Sequence, residues 1–472
     1  MCGRLWLAIV SLILPFAQFA AAAEPTPTET LIKLTLSPQA APMPALRHLL
    51  LPELGERQPG NQVPAFYKCM FEQNHFYYNQ EEIKLREKWQ NAPLSEVPGS
   101  TLKGYGGAGL KQADYAARLD TIDWQLTAKI KADGVGLLLP DVQVLRNVAG
   151  ALKVRFRGEV QRKDFDAALV TAKTMFALAR MFSEHPTLIG NLVGIAIAQL
   201  AVAPLEELIS QPGCPNLYWA LTQLPAPFID IQNGFQGERT FIVSEFGGLM
   251  DDKAPMSDAA IQKCLEVFKR LASLMDTTQQ PSAADDQWVR KRAANAAVMK
   301  AARGRLVSLG IPAERLDKMP AVQIIMLDEI RSYEFHRDES LKWTTFPIWQ
   351  APETERTDRA GAASPRVDEP NDLLSSLWTP AVYKVRRAQL RLQQRLAMIQ
   401  TVEAMRLHMA ANGGKLPAKL SDVSVPTPND PATGKPFRFE LHETGATLRN
   451  TPIPGAEKIW AFNVKYEIAI QK

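Results

Sequence analysis

An almost unbroken apolar run, Leu188 to Leu205, sits inside the longest hydrophobic stretch of the chain, Ala151 to Ala226. Roughly 18 apolar residues can cross a bilayer. The run is therefore either a membrane span or a helix that the rest of the chain has to bury. Asn191, Gln199 and Pro204 interrupt it, and no basic flank anchors it, which favours the buried helix. Gly190, Gly194 and Ala198 repeat every four residues and allow close helix contact.

The stretch before that run reads as a helical hairpin. Asp164, Phe165, Asp166 and Ala168 stand between two helical patterns. Ala168, Ala172, Met175, Ala179 and Phe182 then recur at spacings of three and four, one apolar face at helical period. His185-Pro186 ends that helix, because the residue before proline avoids the α region. The corner resembles the helix-turn-helix unit of tetratricopeptide repeats. No second copy follows at the roughly 34-residue period of a repeat array, so a single hairpin is expected rather than a solenoid.

The 472 residues suffice for two or three domains, and 46% hydrophobic residues supply a large core. With 54 bases against 50 acids the net charge is +4, so no global attraction to nucleic acid follows. Residues 1–23 have the form of a secretory signal: Arg4, the apolar run Leu5 to Phe16, then Ala21-Ala22-Ala23 before Glu24. Cleavage there implies a periplasmic or extracellular protein. It removes Cys2 and leaves Cys69, Cys214 and Cys264, either with one disulfide and a free thiol or with no disulfide. Their spacing fits no zinc site. No metal, no other cofactor, and no membrane span after signal cleavage are expected.

The fold class expected is mainly α: an irregular helical domain carrying the hairpin, plus a small C-terminal α+β unit. Residues 24–110 read as an extended, Pro-rich segment with a short strand in which Ile32, Leu34 and Leu36 alternate with Lys33 and Thr35. Residues 111–350 form the helical domain, including a helix from Lys111 to Lys131 and one from about Pro320 to Trp343. Residues 351–372 lack periodicity and read as a linker. Residues 373–472 hold a helix from about Pro380 to Asn412, stopped by Gly413-Gly414 and packed on a small antiparallel sheet. In the last strand Trp460, Phe462, Val464, Tyr466, Ile468 and Ile470 point one way.

LRLQQRLAMIQTVEAMRLHMAANGGKLPAKLSD followed by NDPATGKPFRFEL resembles the C-terminal body of type II secretion pseudopilins. The resemblance covers about a fifth of the chain and implies a helix on a small sheet. The chain departs from that family in lacking the processing glycine, the glutamate after it and the apolar assembly helix. The likeness is therefore one of shape and not of filament assembly. PALRHLLLPELGERQPGN with PGCPNLYWALTQLP is similar to secreted helical proteins of planctomycete bacteria, which implies export and helices and no chemistry.

Four groups carry candidate chemistry. Tyr67, Phe71, Phe76, Tyr77 and Tyr78 crowd around Cys69 and His75, as a packed aromatic cluster or as a ligand pocket. Gly104-Tyr-Gly106-Gly-Ala-Gly109 matches the dinucleotide pattern, but no hydrophobic strand precedes it to aim the loop at a pyrophosphate. Glu334, His336 and Asp338, with Glu339 beside them, offer paired carboxylates and a histidine for hydrolysis, or a charged helix face that pairs with Arg337 and Lys342. Lys384, Arg387, Arg391 and Arg395 lie three, four and four apart along one helix face, with no acid between Leu373 and Val402. They form a docking surface for an anionic envelope component or protein, or a solvated or ion-paired face. The function expected is an exported, non-catalytic binding or scaffold protein of the cell envelope. The alternative is a periplasmic hydrolase built on Glu334, His336 and Asp338.

Overall fold

The computed structural model describes residues 29–134, 137–250, 252–273, 287–352 and 373–471. The expected signal segment 1–23 and all but the first two residues of the expected linker 351–372 lie outside them. The described residues begin with β1 (Thr30–Leu36), then β2 (Gln58–Asn61), α1 (Gln62–Glu72), α2 (Asn74–Tyr78), α3 (Gln80–Asn91), α4 (Gly107–Ala116), β3 (Leu119–Thr121) and α5 (Thr127–Asp133). The hairpin and the apolar run follow as α6 (Pro140–Gln161), α7 (Phe165–Met181) and α8 (Leu188–Ile209). Next come α9 (Tyr218–Thr222), α10 (Gln232–Met250), α11 (Asp258–Ser273), α12 (Gln287–Ala294), α13 (Ala296–Ser308), α14 (Ala313–Leu316) and α15 (Ala321–Leu341). The long α16 (Leu373–Ala411) and the strands β4 (Arg438–His442), β5 (Gly445–Arg449) and β6 (Val464–Ile470) close the chain.

The corner between α6 and α7 forms because Lys163 takes a left-handed φ of 59° and the Asp164 carboxylate accepts the Ala167 amide. Ala168, Ala172, Met175, Ala179 and Phe182 are fully buried. The α8 run lies inside the protein, with 67% of its most apolar window buried. Thr187 caps its start by accepting the Gly190 amide. Close packing depends on missing side chains here: a Cβ on Gly194 would stand 2.5 Å from the Phe182 Cβ, and one on Gly237 of α10 only 1.7 Å from the Pro186 oxygen. The helix approach expected from the glycine spacing in α8 is thus seen at Gly194, and α10 crosses the entry to α8 by the same means.

Five expectations change. Residues 24–110, expected as an extended segment with a short strand, hold the helices α1 to α3, and the last strand starts at Val464 rather than Trp460, because Trp460–Phe462 form a 3-10 turn. The helix expected over Lys111 to Lys131 starts earlier and stops at Ala116; β3 follows and pairs in parallel with β2. Side chains of β3 satisfy the Gly60 backbone there: Asp120 accepts its amide and the Thr121 hydroxyl donates to its carbonyl. The long helix begins at Leu373 rather than Pro380, because Glu329 of α15 accepts the Leu374 amide at 2.8 Å and serves as a cap from another helix. The C-terminal sheet is mixed and not antiparallel. Its order is β1-β6-β5-β4, with β1 parallel to β6 in register from Thr30↔Val464 to Leu36↔Ile470. Parallel strands need a crossover connection, and the whole helical body is that crossover. Leu34 and Leu36 of β1 join Val464, Tyr466 and Ile468 on the buried face. One contiguous core runs from Leu34 to Ile468 and includes the apolar faces of α7, α8, α15 and α16.

Candidate functional site

On α15 the two carboxylates are committed to different arginines. Arg331 donates to Glu334 at 2.7 Å, while Arg337 donates to Asp338 at 2.9 Å and Arg239 of α10 stands 3.8 Å from it. Asp338 is 52% exposed, and Glu339 pairs with Lys342 at 2.6 Å. His336 sits edge-on to Phe335. Each acid therefore serves as a partner for a cation, which is the charged-face arrangement.

The basic stripe is not one surface. Lys384 is exposed, but Arg387 reaches the Pro454 carbonyl, and Arg391 lies 5.9 Å from the Phe462 ring centre. Burial, with Arg395 beside it, lowers Arg391 to about 10. Arg395 is only 13% exposed and pairs with Glu206 of α8 through two nitrogens, the closest contacts at 2.7 Å. Tyr466 of β6 donates its hydroxyl to the same carboxylate. Arg395 is thus removed from any docking surface, because its neutralising acid comes from another helix and not from its own.

Other buried charges tie distant segments in the same way. Glu403 and Arg406 are wholly buried and 2.7 Å apart; Glu403 accepts the Leu217 amide and Arg406 donates to the Cys214 carbonyl, each at 2.7 Å. Asp430, in the NDPATGKP turn, accepts Gln394 at 2.8 Å and the Ala432 and Thr451 amides at 2.9 and 2.6 Å.

Of the aromatic crowd, Phe76 and Tyr77 meet Tyr105 of the glycine-rich loop around Arg86, whereas Phe71, His75 and Tyr78 are exposed. Asn79 caps α3 by accepting the Glu81 and Glu82 amides, which turns the chain sharply after α2. That turn lays Arg86 of α3 against α2. Its guanidinium carbon is 4.6 Å from the Phe76 ring centre and 5.4 Å from that of Tyr77, and it donates to the Phe76 carbonyl. Tyr105, between Gly104 and Gly106, closes the other side, edge-on to Phe76 at 5.1 Å and to Trp89 at 6.1 Å. The loop comes this near α1 because Gly109 lacks a side chain: a Cβ there would be 3.0 Å from the Cys69 carbonyl and 3.5 Å from the Tyr77 ring.

This cage is short of partners. Arg86 is 4% exposed and Tyr77 fully buried. The Arg86 Nε, the Tyr77 and Tyr105 hydroxyls and the Gln73 Oε1 are all buried without a hydrogen bond. Tyr105 lies beside the guanidinium, which opposes part of the rise that burial gives its hydroxyl. Among the described residues no carboxylate pairs with Arg86. Burial raises Tyr77 and Tyr105 and pushes the Cys69 thiol up to about 12, so these groups stay neutral. The aromatics and glycines were legible in the sequence. Arg86, in QEEIKLREKWQN, reads as one more solvated charge on a polar helix.

A scan against protein-family models finds no match, and searches of curated proteins and of solved structures find none either. Among the described residues no group of three His, Cys, Asp or Glu side chains is placed to hold a metal ion. Cys69, Cys214 and Cys264 are buried free thiols, which selects the disulfide-free alternative.

Proposed function

We propose that this is an exported, non-catalytic helical protein that binds or scaffolds components of the cell envelope. The observation that carries the non-catalytic half is the separate engagement of Glu334 and Asp338 by Arg331 and Arg337. A hydrolytic pair needs one acid and one base directed at a common point. Elsewhere, buried charges tie remote segments of this chain: Glu206 pairs with Arg395, and Glu403 and Arg406 bond the Leu217 and Cys214 backbone. Export rests on the leader-like residues 1–23. Lys384 remains the exposed member of the basic series for an anionic envelope partner.

Cell fractionation with mass spectrometry tests the proposal. The mature chain is expected outside the cytoplasm with Glu24 at its N-terminus. An intact chain starting at Met1 in the cytoplasm contradicts it.

A further inference from the structure

We propose that β4 is a self-pairing edge, through which two copies of this chain join their sheets about a twofold axis at Phe439. β4 ends the order β1-β6-β5-β4 and has a strand on one side only. Such an edge presents unpaired N–H and C=O groups to another strand. Which groups face outward here follows from the hairpin. Its turn is Glu443-Thr444, so the flanking His442 and Gly445 exchange both backbone hydrogen bonds. Alternation then turns the N–H and C=O of Arg438 and Glu440 towards β5 as well, and those of Phe439 and Leu441 away from it. Among the described residues no backbone hydrogen bond outside the sheet uses Phe439 or Leu441.

The side chains of the strand select a second copy as the occupant. Arg438 and Glu440 are exposed on the outer face of the sheet, and among the described residues neither has an ion-pair or hydrogen-bond partner. Further into the same face the charges are paired: Arg449 of β5 with Glu29, and Lys465 of β6 with Glu467. On the core face Leu441 stands in line with the buried Ala446 and Ile468. It is nonetheless 47% exposed, because no strand lies beyond it. A second β4, running antiparallel, covers it.

The outward groups of two antiparallel β4 strands can bond in registers centred on Phe439, Glu440 or Leu441. Centred on Glu440, that carboxylate faces its own copy, and like charges directly opposite are destabilising. Centred on Leu441, the pairing runs into the turn and leaves Arg438 opposite Thr444, without an acid. Centred on Phe439, Arg438 of each copy faces Glu440 of the other, in the pairs where side chains lie closest. Phe439 meets its own copy, and Leu441 comes beside Phe437 of the other. This register alone is self-complementary in charge, as an isologous twofold contact requires. β4 has five residues, well short of the about 20–30 a side of a standard interface, so the dimer is reversible and grows with concentration.

Sedimentation velocity of the full-length protein over a wide concentration range reads the equilibrium. The native chain is expected to pass from monomer to dimer as concentration rises. Glu440→Arg sets like charges against each other in both pairs and should raise the dissociation constant about tenfold or more. Arg438→Glu should do the same. The two together restore opposite charges and should return the affinity to within about threefold of native. Both positions are exposed, so the variants keep the native melting temperature. Phe439→Cys reads the register. Residues that exchange both hydrogen bonds lie about 5.5 Å apart at Cα, within disulfide reach, so mild oxidation should give a covalent dimer. Leu441→Cys, facing Phe437, should not, and the native cysteines are buried. If Phe439→Cys does not fold, the charge exchange decides alone. The proposal is overturned by a native chain that stays monomeric at every concentration, by a dimer that Glu440→Arg leaves intact, or by a double variant that dimerises no better than the single ones. A folded Phe439→Cys protein that cross-links no better than Leu441→Cys overturns it too.

Discussion

Glu206 and Arg395, 189 residues apart in sequence, meet in a two-pronged ion pair between α8 and α16, with both carboxylate oxygens 2.7 Å from one guanidinium nitrogen. Tyr466 adds a hydrogen bond from β6. Three elements that the sequence assigns to two different units are thus joined at one carboxylate.

Glu206→Gln is expected to cost about 3–5 kcal/mol of unfolding free energy, because it leaves Arg395 buried without its counter-charge. The double variant Glu206→Leu with Arg395→Met should be more stable than either single change. Lys384→Gln, at an exposed site, should stay within about 0.5 kcal/mol of the native protein. Urea denaturation measures all of these. A mild effect of Glu206→Gln would deny the pair its structural role.

How much of this could be read in advance differs by element. The buried stripe of α7 and the alternation of β1 and β6 follow from periodicity, since burial selects every third or fourth helical residue and every second strand residue. The parallel pairing of β1 with β6 does not, because register between remote strands is set by the body that connects them. Glu206 lies near the end of an apolar helix, and nothing local identifies a partner so far along the chain. For Arg86 the deciding event is the turn at Asn79, which converts a polar-helix arginine into a buried one.

Glu159 of α6 predicts a pH effect. Burial pushes its carboxyl up to about 7 from 4.5, against the opposing pull of Arg155, the Thr171 hydroxyl and Arg162, and with Asp114 adding to the rise. The folded state keeps this proton where the unfolded chain has released it. The contribution is full below about pH 4.5 and is lost as pH rises through 7. Relative to Glu159→Gln, the native protein should lose on the order of 3 kcal/mol across that window. Denaturation at pH 4.5, 6 and 8 measures the difference, and a constant difference would show that folding leaves the Glu159 carboxyl unshifted.

Gly237→Ala should destabilise by about 1–3 kcal/mol, since the added methyl would stand 1.7 Å from the Pro186 oxygen and force α10 away from the start of α8. The loop glycine at 104, where a Cβ meets nothing within 4 Å, supplies the contrast: its cost should come from its φ of 75° alone. Melting temperatures of the two alanine variants test the comparison. A Gly237→Ala protein as stable as the native one would contradict the contact.

The contiguous core from Leu34 to Ile468 makes a prediction about cleavage. A protease site engineered between residues 353 and 372 should yield two fragments that co-elute in size-exclusion chromatography at neutral pH. Release of a free fragment of about the last hundred residues would mean that α16 and the sheet form a separable unit.

The proposed function is tested most directly by incubating the purified mature protein with fractionated envelope material, namely peptidoglycan, outer-membrane lipid vesicles and anionic polysaccharide. Sedimentation reports binding, and mass spectrometry of the recovered material reports its chemistry. The account predicts saturable binding to one fraction, weakened by salt where anionic groups are held, with that material recovered unchanged. Turnover of a fraction that is lost on changing Glu334, His336 or Asp338 would contradict it and establish a hydrolase.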